Sequence, residues 1–156
     1  MNSGVAVVPG CEDPRVDMEG PIVFFDGECG YCNRAIRFAM SRDRDGRLYA
    51  APLDGETARK VLSPFKEALA GVDSVVLYLP ATPSRPASAL VHSTGALGIL
   101  QFLGGGWPMV GTAALLIPRW LRDGAYQAFT KHRYRLFGRV DTCQLWPPAW
   151  RARMLP

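Results

Sequence analysis

Apolar positions along this chain come in short bounded runs that change rhythm. Ile22-Val23-Phe24-Phe25 is wholly apolar, the mark of a central strand covered on both faces. The rhythm then switches: Cys32, Ala35, Ile36, Ala39 and Met40 fall at three-to-four spacing, which predicts a helix over 30–42 with Asn33, Arg34 and Arg37 turned to water. Asp43-Arg44-Asp45-Gly46 ends it. A second strand is predicted over 48–51, stopped by Pro52, and Ala58, Val61 and Leu62 mark a helix that Pro64 kinks or restarts toward Phe65, Ala68 and Leu69. Strands three and four fall at 74–79 and 89–92, a near-hairpin across the proline-rich 80–88 loop. A helix from Ser93 or Thr94 through Leu103 stops at Gly104-Gly105-Gly106. Further helices are expected over 111–120 and 124–134.

The resulting order is strand, helix, strand, helix, strand, strand and three helices. The first seven elements fit an α/β fold of thioredoxin-like type, a mixed sheet flanked by helices, with a helical C-terminal addition. Residues 1–20, punctuated by Pro9, Gly10, Pro14 and Gly20, read as a flexible N-terminal extension. Residues 21–147 form the domain, and 148–156 read as an irregular tail. The stretch 87–117 carries no Asp, Glu, Lys or Arg, but glycines and Pro108 interrupt it, so packed core helices are expected rather than a transmembrane segment.

Composition narrows the class. At 156 residues and 48% hydrophobic, the chain suits one packed domain. Four cysteines, two of them isolated, do not make a disulfide scaffold. No secretory signal is read at the start, so a reducing, cytoplasmic setting is expected. The net charge of +4 is uneven: up to Pro118, ten Lys/Arg face twelve Asp/Glu, and from Arg119 onward eight face two. Tyr126, Phe129, Tyr134, Phe137 and Trp146 interleave with the basic residues of that second part. The pattern reads as an amphipathic capping helix, and no nucleic-acid partner is expected.

The candidate chemistry is Cys29-Gly30-Tyr31-Cys32, set where strand one hands over to a helix. Backbone N–H groups and the helix dipole favour a thiolate at such a point, and a Cys-x-x-Cys pair there reads as a reversible dithiol/disulfide centre. Cys29 is expected as the exposed attacking thiolate and Cys32, one turn in on the buried stripe, as the resolving thiol. Gly30 would let a partner chain approach. Two plainer readings stand beside this one: unreactive core cysteines, and half of a zinc site that only Cys11, Cys143, His92 or His132 could complete. Asp26 is either a proton acceptor for a cysteine or the residue of an Asx-turn.

The run Asp26-Gly27-Glu28-Cys29-Gly30-Tyr31-Cys32 resembles the Asp-Gly-x-Cys-x-x-Cys motif of the DCC family, predicted thiol-disulfide oxidoreductases. The resemblance continues through Asn33, Arg37-Phe38, Ala51-Pro52-Leu53 and Val75-Val76-Leu77, and ends on Arg133-Tyr134-Arg135-Leu136-Phe137-Gly138-Arg139-Val140-Asp141-Thr142-Cys143. It implies a thioredoxin-like fold and a redox role. Gly71-Val72-Asp73 stands where many thioredoxin-like enzymes carry a cis-proline, which thiol exchange does not itself require.

The family resemblance also groups Arg139, Asp141 and Cys143. An arginine near Cys29 would lower its pKa, Asp141 could hold that arginine, and Cys143 could serve as a third thiol. A salt-bridged C-terminal clamp is the preferred account of the three. The expected function is thiol-disulfide exchange at Cys29–Cys32 with Asp26 assisting, and Gly27, Tyr31, Arg139, Asp141 and Cys143 supporting. The partner would be a disulfide-containing protein or a low-molecular-weight thiol, with neither cofactor nor metal. The alternatives are a non-enzymatic interaction module on the same fold and a zinc-binding protein.

Overall fold

The computed structural model describes residues 5–7, 20–72, 74–140 and 146–156. Strand β2 (Ile22–Phe25) is an interior strand of a five-stranded mixed sheet. It pairs in parallel with β3 (Tyr49–Pro52) and antiparallel with β4 (Val76–Leu79). Strand β5 (Ser88–Val91) continues antiparallel from β4, and β1 (Val5–Val7) closes that edge antiparallel to β5. The order is β1-β5-β4-β2-β3. The parallel β2–β3 pair needs a crossover, which helix α1 (Gly30–Arg42) supplies. Helix α2 (Glu56–Val61) and a 3₁₀ turn at Ser63–Phe65 follow β3. This is the thioredoxin-like α/β arrangement.

Strand alternation divides the core in two. Ile22, Phe24, Val76 and Tyr78 pack on one face with Ala58, Val61 and Phe65. Val23, Phe25, Leu77 and Leu79 pack on the other with Ile36, Ala39 and Met40 of α1 and Ile99 of α3 (His92–Leu100). All four side chains of β2 are buried, as a wholly apolar run requires.

Helices α4 (Trp107–Leu115) and α5 (Arg119–Phe137) differ from the predicted 111–120 and 124–134. Pro108 sits in the first turn of α4, where its missing N–H costs nothing. Pro118 stands as N-cap of α5, and the chain around it leaves the helical region. Gly111 lies inside α4 because a Cβ there would sit 3.1 Å from the Leu97 carbonyl oxygen, so it is a contact point between α3 and α4.

Two boundary readings are corrected. The stretch 1–20 is not wholly a loose extension, because Val5–Val7 is a sheet strand. The tail is not irregular. Helix α6 (Pro148–Arg151) leads into a segment that runs along the free edge of β3: the Ala50 N–H donates to the Arg153 carbonyl at 2.9 Å, and the Leu155 N–H to the Ala50 carbonyl at 2.8 Å. Met154 and Ala50 form a parallel bridge. The tail thereby covers an edge that would otherwise present unpaired backbone groups. Among the described residues no helix is long and apolar enough to cross a membrane.

Candidate active site

Strand β2 ends at Phe25, and Asp26 opens the turn into α1. One carboxylate oxygen of Asp26 accepts the Glu28 N–H at 2.9 Å, an Asx-turn that sets the loop's course. Asn33 fixes the loop from inside: its side-chain amide donates to the Gly27 carbonyl at 2.7 Å and to the Cys29 carbonyl at 3.0 Å. Asn33 is buried, contrary to its expected place on the wet face. The helix period alone could not show that the Gly27–Cys29 carbonyls would claim it.

Cys29 is the N-cap of α1, with extended backbone at φ −81° and ψ 115°, and its sulfur accepts the Cys32 N–H at 3.3 Å. The sulfur thus takes up one of the N–H groups that a helix start leaves without an intrahelical partner. The Cys32 thiol lies close enough to Cys29 for that neighbour to influence its ionisation. Burial pushes the Cys32 thiol far above its ordinary range. The neighbouring Cys29 sulfur and its charge push the same way, and the Arg133 charge opposes them. The two thiols are reduced and adjacent, one at the helix mouth and one a turn inside.

Their exposure is the reverse of the expected one. Cys29 is fully buried at 0%, while Cys32 is partly exposed and lines a cavity. The cover over Cys29 is the chain's own C-terminal strap. Gly138 leaves α5 with φ +68°, and Arg139 bridges Cys29 antiparallel. The Gly30 N–H donates to the Gly138 carbonyl at 3.3 Å, and the Val140 N–H to the Glu28 carbonyl at 2.9 Å. A Cβ on Gly30 would stand 2.5 Å from the Phe137 carbonyl oxygen, so this glycine admits the strap rather than a partner chain.

The strap comes from α5, and α5 also supplies the charge beside the site. Arg133, almost wholly buried, donates to the second Asp26 oxygen at 3.1 Å, and the Tyr134 hydroxyl donates to the same oxygen. Asp26 therefore ties the β2–α1 turn to α5. Arg139, the expected arginine partner, points outward: its side chain is largely exposed, lies over the Tyr134 ring and approaches Glu28 only at 3.8 Å. Arg133 is instead the arginine whose charge reaches the pair, and it acts on Cys32. The sequence carried a signal for this, since Tyr126, Phe129, Thr130, Arg133 and Phe137 share one helix face and Arg133 is the charge on it.

Tyr31, at the rim, meets Phe129 edge-on at 4.6 Å and Phe137 at 5.1 Å. Burial, with Cys32 and Cys29 nearby, raises its phenol. Gly27 contributes the carbonyl that Asn33 holds. Asp141 and Cys143, like Cys11, lie outside the described residues. Among the described residues no three His, Cys, Asp or Glu side chains come together as a metal site, and no peptide bond is cis.

Two neighbouring thiols at the start of the first crossover helix of a thioredoxin-like sheet form a site suited to thiol-disulfide chemistry. Residues 23–139 match the DCC1-like thiol-disulfide oxidoreductase family, and the chain belongs to that family. It is 30% identical over 135 residues to uncharacterized protein YuxK of Bacillus subtilis (strain 168), covering 86% of this chain and 93% of that one. It is 29% identical over 125 residues to a chloroplastic DCC family protein of Arabidopsis thaliana, covering 80% of this chain and 69% of that one. No solved structure matches it significantly.

Proposed function

We propose that the protein exchanges electrons with thiols and disulfides through a Cys29–Cys32 couple, without an organic cofactor. The observation that carries this reading is the pair's placement: two free thiols one helical turn apart, with the Cys29 sulfur accepting the Cys32 N–H at the helix mouth. The oxidised couple takes two electrons from two substrate thiols, and the reduced couple returns them to a disulfide. Substrates are proteins or low-molecular-weight thiols. Arg133 and Asp26 serve as positioning residues that hold the turn against α5.

Turnover tests the reading. The protein should catalyse glutathione-dependent reduction of a small disulfide, and Cys29→Ser and Cys32→Ser should each abolish it. Unchanged turnover in both variants would refute the couple. Asp26→Asn tests the positioning role. The Asp26 charge is among the causes that raise the Cys32 thiol, so its removal should move the alkylation profile of Cys32 to lower pH. A loss of stability with an unmoved profile would leave Asp26 only the turn.

A further inference from the structure

The two sulfurs differ in what can reach them. Cys29 lies under the Phe137–Val140 strap, whose two backbone hydrogen bonds close over it. Cys32 opens instead onto a cavity of about 490 Å³ enclosed between α1, α3 and α5. Its wall is mostly apolar, built from Phe25, Tyr31, Ile36, Leu97, Leu100 and Phe129, with few polar groups among them. That volume matches a small molecule. An extended peptide would have to displace the strap to meet Cys29. The usual division of labour, first cysteine outward and second cysteine beneath, does not fit this arrangement.

We infer that the cavity binds a low-molecular-weight thiol or disulfide with an apolar or aromatic body, and that the mixed disulfide forms on Cys32 with Cys29 as the resolving and leaving sulfur. This rests on the dithiol reading above and names its substrate class and the order of its sulfurs.

The chemistry follows the geometry. In the oxidised couple, a substrate thiolate in the cavity attacks the Cys32 sulfur. A substrate–Cys32 bond forms and the Cys29–Cys32 bond breaks. The electron pair leaves on Cys29, where the Cys32 N–H and the helix start receive it. A second substrate thiol then attacks the substrate-side sulfur of the mixed disulfide. The substrate disulfide departs, and the proton of that second thiol passes to Cys32. Two thiols are oxidised and one protein disulfide is reduced. Burial keeps Cys32 a thiol at the end of the cycle. Run backward, Cys29 takes the Cys32 proton as Cys32 attacks a bound disulfide.

The test uses dipyridyl disulfide, a neutral aromatic probe, on the reduced full-length Cys29→Ser and Cys32→Ser variants. The release of thiopyridone is followed by absorbance and the adduct by mass. Compared per thiolate from each variant's pH–rate profile, because burial holds Cys32 protonated, Cys29→Ser should label at Cys32 at least about tenfold faster than Cys32→Ser labels at Cys29, since reaching Cys29 requires the strap's hydrogen bonds to open. Filling the cavity with Ala35→Phe in the Cys29→Ser background should slow labelling by a similar factor, with equal labelling once the chain is unfolded in guanidinium. Ala96→Leu, a smaller filling change on the opposite wall, serves if Ala35→Phe does not fold. Faster labelling of Cys29, or a rate indifferent to filling, would overturn the inference. Diamide treatment of the unaltered protein separates the two levels. If the Cys29–Cys32 disulfide forms while the labelling order is reversed, only the inference fails; if no disulfide forms, the dithiol reading fails with it.

Discussion

At the residue scale, the site is built on unequal thiols. Cys29 sits where helix N–H groups converge, and Cys32 lies a turn inside with its ionisation opposed by burial and by its neighbour. A thiol that ionises less readily when folded favours the fold below its ordinary pKa of about 8.5, and that contribution is lost as pH rises above it, because the unfolded chain gives up its proton first. The reduced protein should therefore lose stability to urea from about pH 8.5 upward. Cys32→Ser should flatten the decline between about pH 8.5 and 10. Tyr126, pushed up to about 12 mainly by burial, adds to the loss at higher pH in both proteins. An equal decline with and without Cys32 would show that its thiol is not held protonated by the fold.

At the element scale, the local pattern carried strands β2 to β5 and α1 but not β1, because covering a strand on both faces or a helix on one stripe demands a regular sequence. The wholly apolar β2 and the stripe through Ile36, Ala39 and Met40 are legible for that reason. Asn33, Arg133 and the strap were not, since each depends on which distant segment arrives. Asn33 reads as a surface position until the Gly27 and Cys29 carbonyls meet it. Arg139 reads as the site's arginine until the turn of α5 into Gly138 sends Arg133 inward and Arg139 out. Gly138 makes that turn at φ +68° and ψ 178°, a conformation open essentially to glycine. Gly138→Ala should cost about 1–3 kcal/mol in chemical denaturation. In a Cys32→Ser background it should also speed alkylation of Cys29 by loosening the strap. A destabilised protein whose Cys29 stays as protected as before would separate the strap from the cover.

At the scale of the whole molecule, the chain's end closes the sheet. Asp43, at the C-terminus of α1, is buried and accepts the Leu48 N–H at 2.9 Å, the Arg47 N–H at 3.2 Å and the Arg153 guanidinium at 2.6 Å. One carboxylate thus joins the end of α1, the start of β3 and the tail that covers the β3 edge. Removing one partner of a buried ion pair strands the other, so Asp43→Ala should cost about 3 kcal/mol in urea unfolding. A change within about 0.5 kcal/mol would show that the tail is held by Trp150, Met154 and Leu155 alone. The sequence hides this closure because three prolines between 147 and 156 suggest a loop, while the apolar residues that dock are too few to set a period.

The central claim is that Cys29 and Cys32 form one reversible couple. Equilibrating the protein in glutathione buffers from reducing to oxidising, quenching with acid and weighing the Cys29–Cys32 peptide after alkylation tests it most directly. The account predicts a single two-electron transition in which both cysteines lose their alkyl labels together and regain them on return. Cysteines that stay labelled throughout, or that take up glutathione independently of one another, would contradict it.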